Sequence, residues 1–318
     1  MKNRSLSFWL FLTPTLIALA LVVFIPVIEG LFYSFTDWDG LTFTKMVGFQ
    51  NYITLFHDKA FINAFWFTVG FVIVTVIMLN VIGLGLALLV TQKFKGNNFL
   101  RTVFFMPNMI GGLILGFIWQ FIFTQGFQAL GNALHMHWLL NWLTNETTGF
   151  WGLVIVTVWQ MSGYIMIIYI AYLQNIPNEI IEAAKIDGAS AWQRFTKITF
   201  PMIAPAFTVC MFLTLSNGFK IYDQNLSLTN GGPYNSTQML AMDIVNTAYN
   251  SANFSLSEAK AIVFFIIVAA IHYCKLLITV RGRLISNEQK EQKCYWNRWT
   301  LARTLVAIPI LFDRNKLI

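Results

Sequence analysis

The chain has 318 residues, 57% of them hydrophobic and only 11% charged, with a formal net charge of +7. Soluble domains carry about 25% charged residues, so an ordinary soluble enzyme is excluded and a helical protein crossing the bilayer several times is indicated. Three cysteines, Cys210 and Cys274 inside apolar runs and Cys294 near the end, imply no disulfide framework.

Six apolar runs approach or exceed the roughly 20 residues that cross a hydrocarbon core: 8–28, 65–90, 103–123, 151–173, 202–222 and 259–278. The first follows Lys2 and Arg4, and Ala18-Leu19-Ala20 imitates a cleavage site. Its apolar run continues beyond those alanines to Ile28, so it reads as a retained span rather than a signal peptide. The basic residues set the orientation. Lys2, Arg4, Lys93, Lys95, Arg101, Lys185, Arg194 and Lys197 fall on one side, with nine further Lys or Arg from Lys275 onward. The loops 124–150 and 225–258 have no Lys or Arg. This asymmetry places both termini and the 176–205 stretch in the cytoplasm. Residues 284–318 contribute six basic and three acidic residues, so the tail and the cytoplasmic loops account for the positive charge without nucleic acid.

On the opposite side, residues 35–63 mix aromatic and polar side chains, as an ordered extracytoplasmic segment would. The run from His135 to Trp142 holds two indoles and suits an interfacial helix. His135 and His137 lack a third ligand and read as loop histidines rather than a metal site. Asn230-Gly231-Gly232-Pro233 is a strong turn signal.

The stretch 176–205 is the longest polar interval with strong local design. Pro177 opens a helix, Asn178 and Glu179 suit its first turn, and Gly188 supplies the positive φ that ends it. Ser190 and Gln193 have the spacing of a capping box, so a second short helix begins there, and Pro201 starts the next apolar run. Ile180, Ile181 and Ala184 share one face of the first helix, and Glu179, Glu182, Ala183 and Ile186 the other. Periodicity alone fits equally an amphipathic helix lying on the membrane surface.

The run Glu182-Ala183-Ala184-Lys185-Ile186-Asp187-Gly188-Ala189, with Ile198 and Pro201 downstream, resembles the EAA motif of binding-protein-dependent ABC importer permeases. The likeness is to the carbohydrate-uptake branch, related to the maltose, glycerol-phosphate and multiple-sugar permeases. Pro107, the Trp159-Gln160 pair and the Gly-Gly-Pro turn add to it, and it covers roughly residues 8–283. Phe200, where many members have leucine, departs mildly. The resemblance implies an all-α polytopic membrane fold with six spans and a cytoplasmic coupling helix between spans four and five. It implies that Glu182, Ala183, Ala184, Asp187, Gly188, Ile198 and Pro201 serve ATPase coupling. The implied partners are a cytoplasmic ATP-binding-cassette ATPase, a second permease subunit, an extracytoplasmic solute-binding protein, a sugar substrate and the lipid bilayer of a prokaryotic plasma membrane. The tail 284–318, with an apolar run of eight at 305–312, does not fit the family's usual ending.

The chain has no GxxxxGK[ST] loop, no HExxH and no complete nucleophile elbow, so no cofactor or catalytic group is expected and ATP hydrolysis belongs to a partner. A secondary transporter would need intramembrane charges and usually repeats; the spans show few charges and no convincing repeat. Lys220 and Asp223 could pair on a helix, although Lys220 is better placed to snorkel at the interface. Trp159, Gln160, Ser216 and Asn217 lie at depth in apolar runs and are candidate substrate-pathway residues, since sugars offer hydroxyls and apolar faces; Ser, Asn and Gln at such depth also often stitch helices together. Amino-acid importers also carry EAA-type loops, so the solute stays open.

Overall fold

The computed structural model describes residues 2–92, 96–275 and 277. Lys93, Lys95, the side chains of Lys2 and Arg4, Ile278, Cys294 and the whole 284–318 tail lie outside the described residues. The chain divides into two units, Met1–Val268 and Ala269–Ile318. Among the described residues the fold is helical, with one isolated antiparallel bridge between Thr36 and Met46.

Five helices are long and apolar enough to span: Phe8–Tyr33, Lys59–Val90, Gly112–Leu134, Glu146–Leu173 and Phe254–Lys275. The pair Ala191–Met202 and Ala204–Phe219, bent by 66° at Ile203, is together long and apolar enough to make a sixth. These are spans one to six, with the bent pair fifth.

Several predicted boundaries move, each for a local reason. Span two begins at Lys59 because Asp58 caps it, accepting from Ala60 N at 2.9 Å. Span four begins at Glu146 behind a capping box in which Asn145 accepts from Thr148 N. The predicted third run is broken: helix Asn97–Phe105 gives way to a tight turn over Met106–Met109, and Ile110 is extended. Pro107 lacks an N–H and cannot continue the ladder, so span three restarts at Gly112 and ends at Leu134. The expected interfacial helix near Trp138 is absent. His135, Asn141 and Leu143 take positive φ, only the turn His137–Leu139 is helical, and Trp142 stacks on Phe123 at 5.0 Å. Lys220 closes span five and Asp223 opens the next short helix, so the two do not share a helix.

Span four is the core. Two-thirds of its most apolar window is buried (67%), against none for span one. Ile165, Met166 and Tyr169 of span four pack with Ala87 and Val90 of span two and with Ala206 and Cys210 of span five. A polar chain runs through this core: Tyr169 donates to Asn80 Oδ1 at 2.8 Å, and Asn80 Nδ2 reaches Val76 O at 2.8 Å and Thr214 Oγ1 at 3.5 Å. Three spans thereby satisfy one another's polar groups away from water. Gly163 admits the Asn97–Phe105 helix against span four, since a Cβ there would fall on the carbonyl of Phe104.

After span one, Asn51 Nδ2 donates to the carbonyls of Ser34 and Thr36, each at 2.9 Å, and orders the connection. The Thr44 hydroxyl, with the backbone N–H groups of Lys45 and Thr44, draws the Asp37 carboxyl down to about 2.

At the same end of the bundle, Lys260 of span six is 1% exposed. Its Nζ lies 2.7 Å from Asp58 and 2.8 Å from both Asp243 and the Thr247 hydroxyl. One cation faces two carboxylates. Burial works against the charge on Asp58, but Lys260 outweighs it and the carboxyl lies below its ordinary value. At the more deeply buried Asp243 burial wins and the carboxyl is raised. Lys260→Met would leave both acids without their cation, a loss of about 3–5 kcal/mol. The expected outcome is a large fall in melting temperature of the detergent-solubilised protein, partly restored by adding Asp243→Asn. An unchanged melting temperature in the single variant would show that the cluster contributes nothing to stability.

Candidate coupling and translocation sites

The stretch after span four folds as its sequence suggests. Pro177 precedes helix Asn178–Ile186, with Glu179 in the first turn and Lys185 in the last. Gly188 has φ +77°, its N–H bonds to Lys185 O at 3.1 Å, and Ala189 N bonds to Ala184 O at 2.9 Å. This is a Schellman ending that satisfies the last carbonyls. Ser190 and Gln193 then form a reciprocal box, Ser190 N to Gln193 Oε1 at 2.8 Å and Gln193 N to Ser190 Oγ at 3.2 Å. Arg194 Nη1 donates to Ala189 O at 2.6 Å and braces the turn.

The two faces of the short helix differ. Ala184 is buried and Ile181 half-buried, so these two turn toward the rest of the chain, while Ile180 on the same face is 41% exposed. Ile181 borders an apolar groove with Leu88 of span two and Trp192 and Phe195 of the following helix. Glu179, Glu182, Ala183, Ile186 and Asp187 are exposed, and Ile186 is 86% exposed. Ile198 is half-buried and Pro201 exposed, just before the bend at Ile203.

The pathway candidates separate. Gln160 is buried, and its Nε2 donates to Ile110 O at 2.9 Å, the carbonyl freed by the break in span three. Gln224 Nε2 donates to Gln160 Oε1 at 2.8 Å from helix Asp223–Leu228. Gln160 thus joins span four to two irregular segments. Its neighbour Trp159 points elsewhere, 42% exposed and edge-on to Trp119 at 5.4 Å. In span five Ser216 is half-buried and donates to Phe212 O, while Asn217 is exposed. Sequence reading missed Asn80, Tyr169 and Thr214, and it missed Lys260. A lone Asn and a lone Lys inside apolar runs were the available signals.

A family profile described as the binding-protein-dependent transport system inner membrane component matches residues 79–284. The chain belongs to this family. It is therefore a transport subunit in the membrane, not an enzyme. The permease is 52% identical over 277 residues to the probable starch degradation products transport system permease protein AmyD of Thermoanaerobacterium thermosulfurigenes, covering 87% of this chain and 95% of the relative. It is 33% identical to the multiple sugar-binding transport system permease protein MsmF of Streptococcus mutans, over 85% of this chain and 94% of that one. In fold it matches a bacterial ABC transporter involved in the import of the acidic polysaccharide alginate, with TM-score 0.75, 21% identity and coverage of 87% and 97%.

If Gln160 serves the junction, Gln160→Leu leaves the Ile110 carbonyl without its donor, at a cost of about 1–3 kcal/mol. A lowered melting temperature is expected for Gln160→Leu and an unchanged one for Asn217→Leu, measured in detergent. Equal melting of both variants and the wild type would remove Gln160 from the structural role.

Proposed function

We propose that the permease is one transmembrane subunit of an ATP-driven importer for a sugar or oligosaccharide, working by alternating access across a prokaryotic plasma membrane. The observation that carries this reading is the exposed Glu182–Ala183 face on a helix closed at its C-terminal end by the Gly188 turn, in a chain of this family. The names of the 52% and 33% identical relatives support the carbohydrate class.

In this reading the Asn178–Ile186 helix docks into a cleft of a separate ATP-binding-cassette ATPase. Because Ala184 and Ile181 already face the chain, the docking face is Glu179, Glu182, Ala183 and Ile186. Glu182 meets a basic group, and Asp187 and Gly188 hold the turn. Ile198 and Pro201 carry the push into the bent fifth span. The Gly188 turn, the Ser190–Gln193 box and Arg194 stiffen the junction after this helix, which a lever requires. An extracytoplasmic solute-binding protein delivers the sugar. A second permease completes the pathway, and lipid or that subunit covers span one, whose most apolar window has nothing buried. Trp159, Ser216 and Asn217 contact the passing sugar, while Gln160 positions the span-three break beside them. Both termini and the docking helix lie in the cytoplasm, on the Lys/Arg asymmetry.

Two measurements test this. Reporter fusions at Asn141 and Asn235 are expected to read outside and one at Ser190 inside; an external Ser190 reporter would overturn the orientation. Glu182→Lys places like charges in a partly desolvated contact, and Gly188→Val forces a β-branched residue into positive φ at about 1–3 kcal/mol of strain. Both variants are expected to insert normally and lose uptake. Glu182→Lys is also expected to retain less ATPase per permease, more so at low salt, where repulsion is least screened. Full uptake and full ATPase retention in both would reduce the stretch to a surface loop.

A further inference from the structure

A second recess lies far from the docking helix. Span four runs from Glu146 to Leu173, about 42 Å at 1.5 Å per residue, and the docking helix follows its far end. At the near end, early turns of spans two and four border a cavity of about 590 Å³. Its walls combine two chemistries. Trp66 and Phe67 from span two and Phe150 from span four supply rings, and Asn63, Thr147, Glu146 and Ser236 supply polar groups.

The rings are set rather than loose. Phe67 meets Phe150 edge-on at 5.6 Å, and the fully buried Phe71 backs Phe150 at 6.4 Å. Trp66 is 66% exposed and leans on Phe65 at 5.3 Å. On the polar side, Ser236 Oγ is buried and has no hydrogen-bond partner among the described residues. A buried hydroxyl left unpaired costs about 1–3 kcal/mol, and its residue borders the cavity.

We propose that this cavity is a binding site for a neutral glycosyl unit at the mouth opposite the docking helix, a subsite for the extended substrate; this rests on the carbohydrate reading above. A pyranose ring has apolar C–H faces for Trp66 and hydroxyls for Asn63 and Thr147. An acyl chain would leave those polar groups unpaired. Glu146 accepts from sugar hydroxyls and repels carboxylates, so uronates are disfavoured, in contrast to the acidic polysaccharide handled by the fold relative.

The test uses the full importer, purified with its own partners and reconstituted in liposomes, with maltose through maltohexaose as probes. Trp66→Ala is expected to raise KM about tenfold for maltotetraose and longer with kcat and ATPase retention kept, to change maltose little, and to be rescued by Trp66→Tyr. In a parallel variant, Asn63→Cys, maltohexaose is expected to slow maleimide labelling at least threefold, and trigalacturonate is not. Unchanged KM at every length, in a complex whose wild type transports these sugars, overturns the subsite alone. Labelling blocked without sugar means that a partner subunit fills the cavity and also overturns it. Labelling slowed equally by trigalacturonate overturns the neutral specificity. The probes follow the starch degradation products named for the 52% identical relative, and a wild-type complex that takes up none of them overturns that α-glucan choice and the subsite with it.

Discussion

The arrangement depends on how the backbone freed at Pro107 is satisfied in a medium without water. A proline inside an apolar run removes a donor and leaves carbonyls open. Gln160 supplies the donor to Ile110 O, and its own oxygen is taken by Gln224. One side chain therefore fixes three things at once: where span three restarts, how span four faces it, and where the chain turns after span five. Gly163 is needed beside it because the Asn97–Phe105 helix approaches span four at backbone distance. The break is consequently a built part of the fold, held by side chains from two other segments.

Polar groups elsewhere in the bundle follow the same logic at a smaller scale. Asn80, Tyr169 and Thr214 close their bonds across spans two, four and five, amid a cluster of Ile, Met, Ala and Val side chains. Such contacts specify which helix faces meet, since apolar packing in lipid gains little from excluding water. Span one makes no comparable contribution, and its apolar side chains face outward.

Much of this was legible in the sequence where the signal is local. The Pro177 start, the positive φ at Gly188 and the Ser190–Gln193 box are short-range chemistry, and all three stand in the structure. Most of the spans needed only length and composition to be located; the bend in the fifth, beside Pro201 and Pro205, was not read from the sequence. What sequence reading could not reach was pairing at a distance. Gln160 looked like a free polar group at depth because its partners, Ile110 and Gln224, lie 50 and 64 residues away. Trp142 looked interfacial because nothing in its neighbourhood announces the stack on Phe123. The third span starts later than its apolar run because Pro107 bounds an element instead of lying inside one.

The lysine in span six ties together parts of the chain that lie far apart in sequence. Its carboxylate partners are Asp58 at the start of span two and Asp243 on the segment just before span six. An isolated span six would carry this cation unpaired. Its charge is satisfied only where the start of span two lies beside it, so one buried side chain fixes which ends of two remote helices meet.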